Sequence, residues 1–567
     1  MSYKGETNMP KLLNITIGQL LDQASDKYGT VQAVKYIECD YERTYYEINK
    51  DADAIAKGLL GLGFKKGDHI CVWATNYPQW LVLFFATAKI GVVLVTANTN
   101  YKQDEISYLL KQSDSKAIFI SNGIKDLDCQ KIMYTICPEL KTAKVGKLYN
   151  ANLPELRAVF SMDDNSYDGF YNWKDIASFG VLVSQSEYVE ACNLCSPQDV
   201  INIQYTSGTT GFPKGVMLTH YNIVNNAKQI GDRLGFGSKD RLCIPVPFFH
   251  VFGIVVAILA CVTHGSTMIP LLYYTPLKVM HAVEFEKCTA LHGVPTMFIN
   301  VLSHRDFNKY DFSSLRAGIM AGSPCPRHVM QAVVDNMNMR DISSLYGQTE
   351  ASPACTQCHG KDSIELKVST VGCGMEYVEN KIVDPITGLD LPDGEQGEFV
   401  SRGYHIMKGY YKNPEATAKA IDKNGWLHTG DLAVRDPNGY FRITGRIKDM
   451  IIRGGENISP KEIEDILYGF EKVQDAQVVS VPNPKLGEEV CAFVILKDGV
   501  QCTKQQVQEY VSTKLARHKV PTYVIFVDKF PLTASGKIQK FKLREQAKID
   551  LGIKDDGTFV MVDIDNS

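Results

Sequence analysis

Short apolar runs that alternate with helical patterns constrain the fold of this chain more than any other feature. Between the runs, the spacing of apolar residues predicts helices, for example over residues 276–288 and 326–337. Strands that alternate with helices form parallel sheets with helices on their faces, and ligands bind in loops beyond the carboxyl ends of the strands. We therefore predict an α/β fold with mainly parallel sheets. The predicted strands lie at residues 70–73, 117–121, 291–294, 315–320 and 342–346.

A chain of 567 residues is too long for one ordinary hydrophobic core. Its sequence pattern changes beyond Gly388. There, turn dipeptides such as Asp393-Gly394 and Asn438-Gly439 indicate antiparallel hairpins, and an α+β segment follows them. We predict a large N-terminal domain over residues 1–446, a small β-barrel-like antiparallel subdomain within it over about 375–446, and a small mobile α+β C-terminal domain over 447–567.

Two helices carry clear signals at their ends. Apolar spacing predicts the first over residues 17–28, with Thr16 as its N-cap. The second begins after Ser459, where Pro460 occupies the first helical position and Glu462 is placed to complete a capping box.

Composition is typical of a globular protein. The chain is 45% hydrophobic and 22% charged, with a net charge of −4, which argues against a nucleic-acid-binding protein. Lys89 interrupts the apolar run 81–97, and the run 251–263 is too short to cross about 30 Å of hydrocarbon. We therefore predict that both are buried helices and that no segment spans a membrane. The first residues show no secretory or mitochondrial targeting pattern, and we expect a cytoplasmic protein.

Fifteen scattered cysteines, an odd number, fit a reducing compartment better than a disulfide framework. Cys355, Cys358 and His359 match the pattern for covalent haem attachment, and they are also residue types that bind zinc. The sequence supplies no second ligand pair to accompany them. We therefore expect no haem or metal there and interpret the spacing as a chance match in a cysteine-rich chain.

The stretch 205–215, which reads YTSGTTGFPKG, has the composition of a phosphate-binding loop. Its glycines allow close approach of the backbone, its amides and hydroxyl groups can donate to phosphate oxygens, and Lys214 adds a positive charge. The alternative is a simple hairpin turn. The spacing differs from that of the Walker loop and from that of a dinucleotide-binding loop. The candidate phosphate ligands are Thr206, Ser207, Gly208, Thr209, Thr210, Gly211 and Lys214.

Five further polar segments need one explanation together with this loop. Two of them stand where predicted strands end, namely 322–324 and 346–350. The other three are 426–431 with the sequence WLHTGD, 445–457 with GRIKD and RGGEN, and 531–537 with PLTASGK.

In this order and spacing, the segments closely resemble the adenylate-forming superfamily, which contains acyl-CoA synthetases, luciferases and the adenylation domains of peptide synthetases. The resemblance covers nearly the whole chain. Within the superfamily, the stretches GTTGFPKGVMLTHYNIVNN, KDMIIRGGENISPKEIED and PLTASGKIQKFKLREQ look most similar to medium-chain fatty acyl-CoA synthetases. The resemblance implies an enzyme that uses ATP, Mg²⁺ and CoA.

For ATP, the resemblance implies a role for each polar segment. Tyr346 offers a flat face for adenine, and Thr349 offers a donor for the α-phosphate. Glu350, an acidic residue beside phosphates, fits a Mg²⁺ ion that lies between them. Asp431 suits the two ribose hydroxyls, and Arg446 adds donors nearby. The remaining expected ATP contacts are Gly322, Ser323, Pro324, Gly347 and Gln348.

The resemblance also implies catalytic and mobile positions. Lys537 matches the catalytic lysine, which stabilises charge on the α-phosphate and the attacking carboxylate. His250 marks the junction of the acyl pocket and the thiol tunnel, where we expect it to position the carboxylate or gate the thiol. Lys448 matches the hinge for the second half-reaction, and Gly454 and Gly455 leave room for pantetheine. The expected acyl-pocket residues are His250, Val251, Phe252, Val294 and Met297.

We predict an ATP-dependent carboxylate:CoA ligase that forms an acyl-adenylate, transfers the acyl group to CoA and releases AMP and pyrophosphate. A medium-chain fatty acid is the expected substrate. The alternatives are an aryl or dicarboxylic acid, or an adenylation enzyme that loads a carrier protein. A non-catalytic nucleotide-binding homologue is conceivable, although Lys537, Glu350 and Asp431 are all present.

Overall fold

The computed structural model describes residues 11–121, 127–206, 213–323, 325–533, 537–555 and 557–558. The chain divides into two compact units. Unit 1 contains Met1–Asn380 and Ser401–Leu427, and unit 2 contains Lys381–Val400 and His428–Ser567. The domain boundary after residue 446 therefore lies inside unit 2, and it stays a prediction.

The strands of the described residues are β1 (Gln32–Tyr36), β2 (Tyr41–Thr44), β3 (His69–Trp73), β4 (Val93–Thr96), β5 (Ala117–Ile120), β6 (Ala158–Ser161), β7 (Tyr171–Asn172), β8 (Val200–Thr206), β9 (Lys214–Thr219), β10 (Arg241–Ile244), β11 (Thr267–Pro270), β12 (Ala290–Gly293), β13 (Ala317–Ala321), β14 (Asp341–Gly347), β15 (Ala354–Gln357), β16 (Cys373–Gly374), β17 (Val378–Val383), β18 (Gln396–Gly403), β19 (Gly409–Tyr410), β20 (Leu427–Arg435), β21 (Phe441–Arg446), β22 (Ile451–Arg453), β23 (Glu456–Ile458), β24 (Val473–Asn483), β25 (Gly487–Leu496) and β26 (Tyr523–Phe526).

The α-helices of the same residues are α1 (Ile17–Tyr28), α2 (Tyr45–Gly61), α3 (Pro78–Lys89), α4 (Gln103–Gln112), α5 (Cys129–Ile136), α6 (Ile176–Phe179), α7 (Gln185–Asn193), α8 (His220–Leu234), α9 (Ala260–His264), α10 (Pro276–Phe285), α11 (Pro295–Leu302), α12 (Arg327–Met337), α13 (Ile364–Ser369), α14 (Pro414–Ala420), α15 (Pro460–Tyr468), α16 (Lys504–Ser512) and α17 (Lys540–Leu551).

Two large sheets organise unit 1. The first has the strand order β16-β15-β14-β13-β12-β10-β11-β1-β2, and its strands from β14 to β1 are parallel. The second has the order β19-β9-β8-β4-β3-β5-β6-β7, and its strands from β8 to β7 are parallel. Antiparallel strands are added only at the sheet edges. The predicted α/β fold with mainly parallel sheets is confirmed.

The apolar runs predict the strands of unit 1 closely. All five predicted strands are present, as β3, β5, β12, β13 and β14, with ends that shift by at most two residues. The first predicted helix is also confirmed, since α1 begins after Thr16, whose hydroxyl accepts from the Gln19 amide. Helix α10 ends earlier than predicted, at Phe285, and Lys287 adopts a positive φ of 47° just beyond it.

The prediction of one buried helix over residues 81–97 is wrong. Helix α3 ends at Lys89, Gly91 turns the chain with a φ of 71°, and the buried strand β4 follows. Lys89 interrupts the apolar run in sequence, but its side chain is buried and does not reach solvent. Its buried ammonium lies 2.6 Å from Asp22 and 2.8 Å from Asp53, so two carboxylates compensate for the lost hydration.

The second apolar run, 251–263, is confirmed as a buried helical segment. It contains a π-helical stretch, Phe252–Leu259, that continues into α9. Apolar residues surround this segment on every side, which is typical of a core helix. Across the described ranges, no helix combines the length and apolarity that crossing a bilayer requires.

The strands of unit 2 lie in two smaller sheets. One has the order β17-β18-β20-β21, with β20 and β21 antiparallel. The other has the order β23-β22-β25-β24, with β26 parallel to β25. Helices α15, α16 and α17 complete the unit, which matches the predicted small α+β segment.

The predicted capping box of α15 is wrong, although the helix begins as expected. The Ser459 hydroxyl donates to the carbonyl oxygen of Thr444 at 2.6 Å instead of capping its own helix. Glu462 lies 2.7 Å from Lys519 rather than reaching back to residue 459. Tertiary partners therefore replace the local hydrogen bonds that the sequence pattern favours.

Candidate functional site

The two predicted adenine-binding segments lie at the same sheet edge. Strands β13 and β14 are parallel neighbours, with Ala321 paired to Leu345. Gly322 and Ser323 follow the first strand, and Tyr346 stands near the end of the second. Since carboxyl ends of parallel strands meet at one edge, this is where an α/β sheet binds ligands. Pro324 lies outside the described residues.

The segment after Tyr346 folds back sharply. A Cβ atom at Gly347 would collide with the carbonyl oxygen of Pro353, so only glycine fits this close approach. The Gln348 amide donates to the same oxygen at 3.0 Å. A 3-10 turn over Thr349–Ala351 then holds Thr349, which is 6% exposed, and the half-buried Glu350.

The predicted phosphate loop joins two antiparallel strands. Strands β8 and β9 pair as far as Thr206 and Lys214. Both interpretations of this stretch, a phosphate-binding loop and a simple hairpin turn, stay predictions. Ser207, Gly208, Thr209, Thr210 and Gly211 lie outside the described residues.

Tyr410, which the sequence analysis did not single out, contacts two predicted site residues. Its hydroxyl donates to Glu350 Oε1 at 2.8 Å, and Lys214 Nζ lies 5.0 Å from the centre of its ring. The phenol is 9% exposed and packs in the main hydrophobic cluster of unit 1. The strands of this region therefore bring a predicted phosphate-binding lysine and a predicted Mg²⁺ ligand to one tyrosine.

Asp431 and Arg446 are paired in register across β20 and β21. The Asp431 side chain is 6% exposed, and Arg446 Nε lies 2.9 Å from its Oδ1. We expected Arg446 to supply donors beside the ribose. The structure adds that its guanidinium also orients the carboxylate.

The charged residues on the two sides of Lys448 form ion pairs with different elements of unit 2. Before Lys448, Arg446 pairs with Asp431, and after it, Asp449 pairs with Arg544 of α17 at 2.6 Å. Burial lowers the pKa of Lys448, and the positive charge of Arg446 lowers it further. The Arg544 guanidinium helps to hold the pKa of Asp449 below its usual value, against the opposing effect of burial.

Gly454 and Gly455 form the two-residue turn between β22 and β23, with φ angles of 61° and 89°. A hairpin turn of this type requires a positive φ at both positions, so the turn alone accounts for two glycines. Their expected role beside pantetheine stays a prediction.

Lys537 and Thr533 are joined by two hydrogen bonds. The Lys537 amide donates to Thr533 Oγ1 at 2.9 Å, and the Thr533 amide donates to the Lys537 carbonyl oxygen at 2.7 Å. These bonds fix the backbone of Lys537 next to α17. Residues 534–536 lie outside the described ranges.

His250 stands immediately before the buried π-helical segment. Its Nδ1 accepts from the Phe252 amide at 3.2 Å, so a neutral imidazole there would carry its proton on Nε2. Val251 and Val294 are buried, and Phe252 is partly exposed.

A small cavity of about 10 Å³ lies beyond the ends of β10 and β12. Met297 is the one predicted acyl-pocket residue in its lining. The lining residues, all of them described, include no lysine, arginine, aspartate or glutamate, so the surroundings of Met297 carry no formal charge. They are Pro245, Tyr274, Val279, Leu291, His292, Gly293, Met297, Phe298 and Val301.

The haem-like cysteine motif lies elsewhere in unit 1. Cys355 is buried in β15, and Cys358 Sγ lies 3.0 Å from Ser344 Oγ. His359 Nε2 lies 3.5 Å from Cys373 Sγ. No group of three or more His, Cys, Asp or Glu side chains that could hold a metal occurs within the ranges that the structure describes.

Comparisons with known proteins agree with these features. A family model described as AMP-binding enzyme matches residues 21–411, and one described as AMP-binding enzyme C-terminal domain matches residues 462–537. The chain is 51% identical over 538 residues to YngI of Bacillus subtilis (strain 168), which is named as an acyl-CoA synthetase; the match covers 95% of this chain and 98% of that protein.

Two further comparisons extend over similar lengths. The mitochondrial medium-chain acyl-CoA ligase ACSF2 of Danio rerio is 40% identical over 555 residues, which cover 97% of this chain and 91% of that protein. The structure of ATP-bound MatB from Rhodopseudomonas palustris matches with a TM-score of 0.80 and 27% identity, and the match covers 94% of this chain and 99% of that one.

Proposed function

This chain belongs to the family of AMP-binding enzymes, and we propose that it is a medium-chain fatty acyl-CoA synthetase. It is an ATP-dependent acid–CoA ligase, whose substrates are a carboxylic acid, ATP and CoA. The observation that carries the finer proposal is the 40% identity to the medium-chain acyl-CoA ligase ACSF2 of Danio rerio. The uncharged lining of the small cavity beside Met297 supports it, because an alkyl chain requires an apolar surface.

The proposed roles in ATP binding follow the positions of the side chains. We assign adenine to Tyr346 and the neighbouring Gly322-Ser323 segment, and the ribose hydroxyls to Asp431. We assign the phosphate contacts to Thr349, to Lys214 and to the loop that precedes Lys214. Among these groups, Asp431 is held by an arginine and Thr349 by a tight turn, so both are preorganised before ATP arrives.

Mg²⁺ fits the donor set around Glu350. This ion commonly takes one or two carboxylates and completes its shell with water and substrate phosphates, so a cluster of three protein ligands is not required. Glu350 supplies one carboxylate beside the predicted phosphate-binding Lys214, with Tyr410 fixing one of its oxygens. When bound, Mg²⁺ neutralises charge on the phosphate oxygens.

The proposed reaction has two steps. In the first, a carboxylate oxygen of the acid attacks the α-phosphorus of ATP, and pyrophosphate leaves with the electrons of the broken P–O bond. Lys537 stabilises the charge that develops at the α-phosphate, and Lys214 stabilises charge on the leaving group. In the second, the CoA thiolate attacks the acyl carbon and AMP leaves. His250 is our candidate for positioning the acid carboxylate or gating the thiol.

Replacing Asp431 with asparagine should raise the KM for ATP by about tenfold, the factor expected when a hydrogen bond to a charged group is weakened. With 2′,3′-dideoxy-ATP the wild type and the variant should differ much less, because the ribose hydroxyls are then absent. Asp393→Asn is the matched control, since it removes another aspartate that pairs with an arginine, Arg435, in the same unit. An equal penalty with both nucleotides would argue against the ribose assignment.

We further propose that residues beyond Lys448 turn about this position between the two steps. The change of ion-pair partners supports the proposal, because Arg446 pairs with β20 whereas Asp449 pairs with α17. The hydrogen bond from Ser459 to Thr444 connects the two sides and would have to open during the rotation.

Lys448→Pro should therefore slow thioester formation from preformed acyl-adenylate by about tenfold or more, which is about 1.4 kcal/mol on the barrier. Adenylation should be spared, because proline fixes φ without touching the groups that bind ATP. Lys448→Ala, which removes the charge but keeps backbone freedom, should behave like the wild type in both steps. Unchanged thioester formation in the proline variant would contradict the hinge.

A pyrophosphate-release screen with CoA tests the substrate class. We expect octanoate and decanoate to give higher kcat/KM values than palmitate, benzoate or malonate. A preference for benzoate or malonate would assign the chain to the aryl or dicarboxylic alternative. The carrier-loading alternative is tested by letting free CoA and a pantetheinylated carrier protein compete for the same acyl-adenylate. Preferential transfer of the acyl group to the carrier would support that alternative.

We place the reaction in the cytoplasm. All fifteen cysteines are free thiols, nine of them buried, and none forms a disulfide. This usage fits a reducing compartment. Imaging of the tagged full chain in its source cells checks the placement.

A further inference from the structure

Tyr410 stands between two site residues of opposite charge. Its hydroxyl donates to the Glu350 carboxylate at 2.8 Å, while the Lys214 ammonium lies over its ring, 5.0 Å from the centre. The ion pairs among the described residues do not include one between Lys214 and Glu350. One buried side chain therefore contacts both charges, and the charges do not pair with each other.

The backbone holds this arrangement from several directions. Tyr410 pairs with Val216 across β19 and β9, and its amide donates to Thr417 Oγ1 at 2.9 Å. The Met407 amide donates to the carbonyl oxygen of Glu350 at 2.9 Å. The strand that carries Lys214 and the turn that carries Glu350 are thus both tied to the short segment 407–411.

The chemistry of a phenol suits this position. A hydroxyl donor stabilises a carboxylate without removing its negative charge, and it occupies one oxygen while the other remains able to accept. An aromatic face attracts an ammonium group without neutralising it.

We propose that Tyr410 is a positioning residue for the adenylation step, and this proposal rests on the function proposed above. Tyr410 holds Lys214 and Glu350 apart, so that the ammonium is presented to the phosphates of ATP and the carboxylate to their Mg²⁺ ion. Without it, the two charges would be free to approach each other, and substrate binding would first have to separate them.

Tyr410→Phe tests this role, because phenylalanine keeps the ring that packs in the core and over which Lys214 lies, but removes the donor to Glu350. We expect the Mg²⁺ concentration for half-maximal adenylation to rise by about tenfold, as for loss of one hydrogen bond to a charged group. Calorimetry should show the same weakening of ATP binding with Mg²⁺ present and a much smaller change without it. Thioester formation from preformed acyl-adenylate should stay at the wild-type rate.

The next residue offers a matched control. Tyr411 also donates to a carboxylate, Asp114 Oδ2 at 2.7 Å, and Lys412 lies over its ring at 5.6 Å. Tyr411→Phe therefore removes the same kind of hydrogen bond from a site to which we assign no catalytic role. It should leave the Mg²⁺ dependence of adenylation unchanged.

A double-mutant cycle with Glu350→Gln links the effect to its partner. In the Glu350→Gln background, Tyr410→Phe should change the Mg²⁺ dependence by less than about twofold, because the charged partner is already gone. Full additivity of the two changes would overturn the proposal. So would a Tyr410→Phe variant that lowers both half-reactions equally at an unchanged Mg²⁺ requirement, since that pattern indicates a structural role only.

The outcomes also separate this proposal from the proposed function. If the wild type forms no acyl-adenylate from any acid tested, the proposed function fails, while the calorimetric comparison of Mg²⁺-dependent ATP binding can still be made. If the wild type is active and both Tyr410→Phe readouts match it, the function stands and the role of Tyr410 is refuted.

Discussion

Replacing Lys537 with alanine should lower the rate of acyl-adenylate formation by about 100- to 1000-fold, the usual cost of removing one group that stabilises transition-state charge. The physical reason is that no neutral side chain can replace an ammonium beside a phosphorus centre that gains negative charge. Pyrophosphate exchange in the absence of CoA measures this step alone. Thioester formation from preformed acyl-adenylate should proceed normally, because Lys537 has no assigned role in thiol attack.

Lys542→Ala is the control for this experiment. Lys542 is an exposed lysine of α17 near the ring of Phe541, and it belongs to the same unit as Lys537. Its replacement changes net charge by the same amount and should leave both half-reactions unaffected. Wild-type adenylation in Lys537→Ala would remove this residue from the catalytic site.

Glu350→Gln should reduce adenylation by about 100-fold at fixed Mg²⁺, as for loss of several kcal/mol of metal-dependent charge stabilisation. Glutamine keeps an oxygen that can accept from Tyr410, so the turn around Thr349 should stay folded. The missing charge should appear mainly as a higher Mg²⁺ requirement. Titrating Mg²⁺ at saturating ATP measures it.

Glu365→Gln provides the comparison. Glu365 is an exposed carboxylate of α13 that pairs with Arg327, and its neutralisation should leave the Mg²⁺ titration unchanged, since exposed pairs contribute little. If Glu350→Gln and Glu365→Gln behave alike, Glu350 is not the metal ligand.

The fold was largely predictable because its signals are local. Apolar runs mark the central strands, and Thr16 marks the start of α1 through hydrogen bonds within its own turn. The predictions fail where contacts with residues distant in sequence determine the position of a side chain. The Ser459 hydroxyl is drawn to Thr444, and Lys89 is buried because Asp22 and Asp53 from other helices surround it. A sequence pattern cannot reveal such partners.

The candidate site was predictable to the extent that each segment resembles a superfamily motif. Tyr410 has no such signal, because its carboxylate partner lies 60 residues away in sequence and only sheet pairing brings the two together. The pairing of Arg446 with Asp431 is similar, since it depends on the register of β20 and β21 rather than on either segment alone.

The central claim is that this chain joins a fatty acid to CoA through an acyl-adenylate. Incubating the purified chain with octanoate, ATP, Mg²⁺ and CoA, and quantifying the products, tests it most directly. We predict octanoyl-CoA, AMP and pyrophosphate in equal amounts, and octanoyl-AMP when CoA is omitted. Formation of ADP and phosphate, or of octanoyl-AMP that persists in the presence of CoA, would contradict the claim.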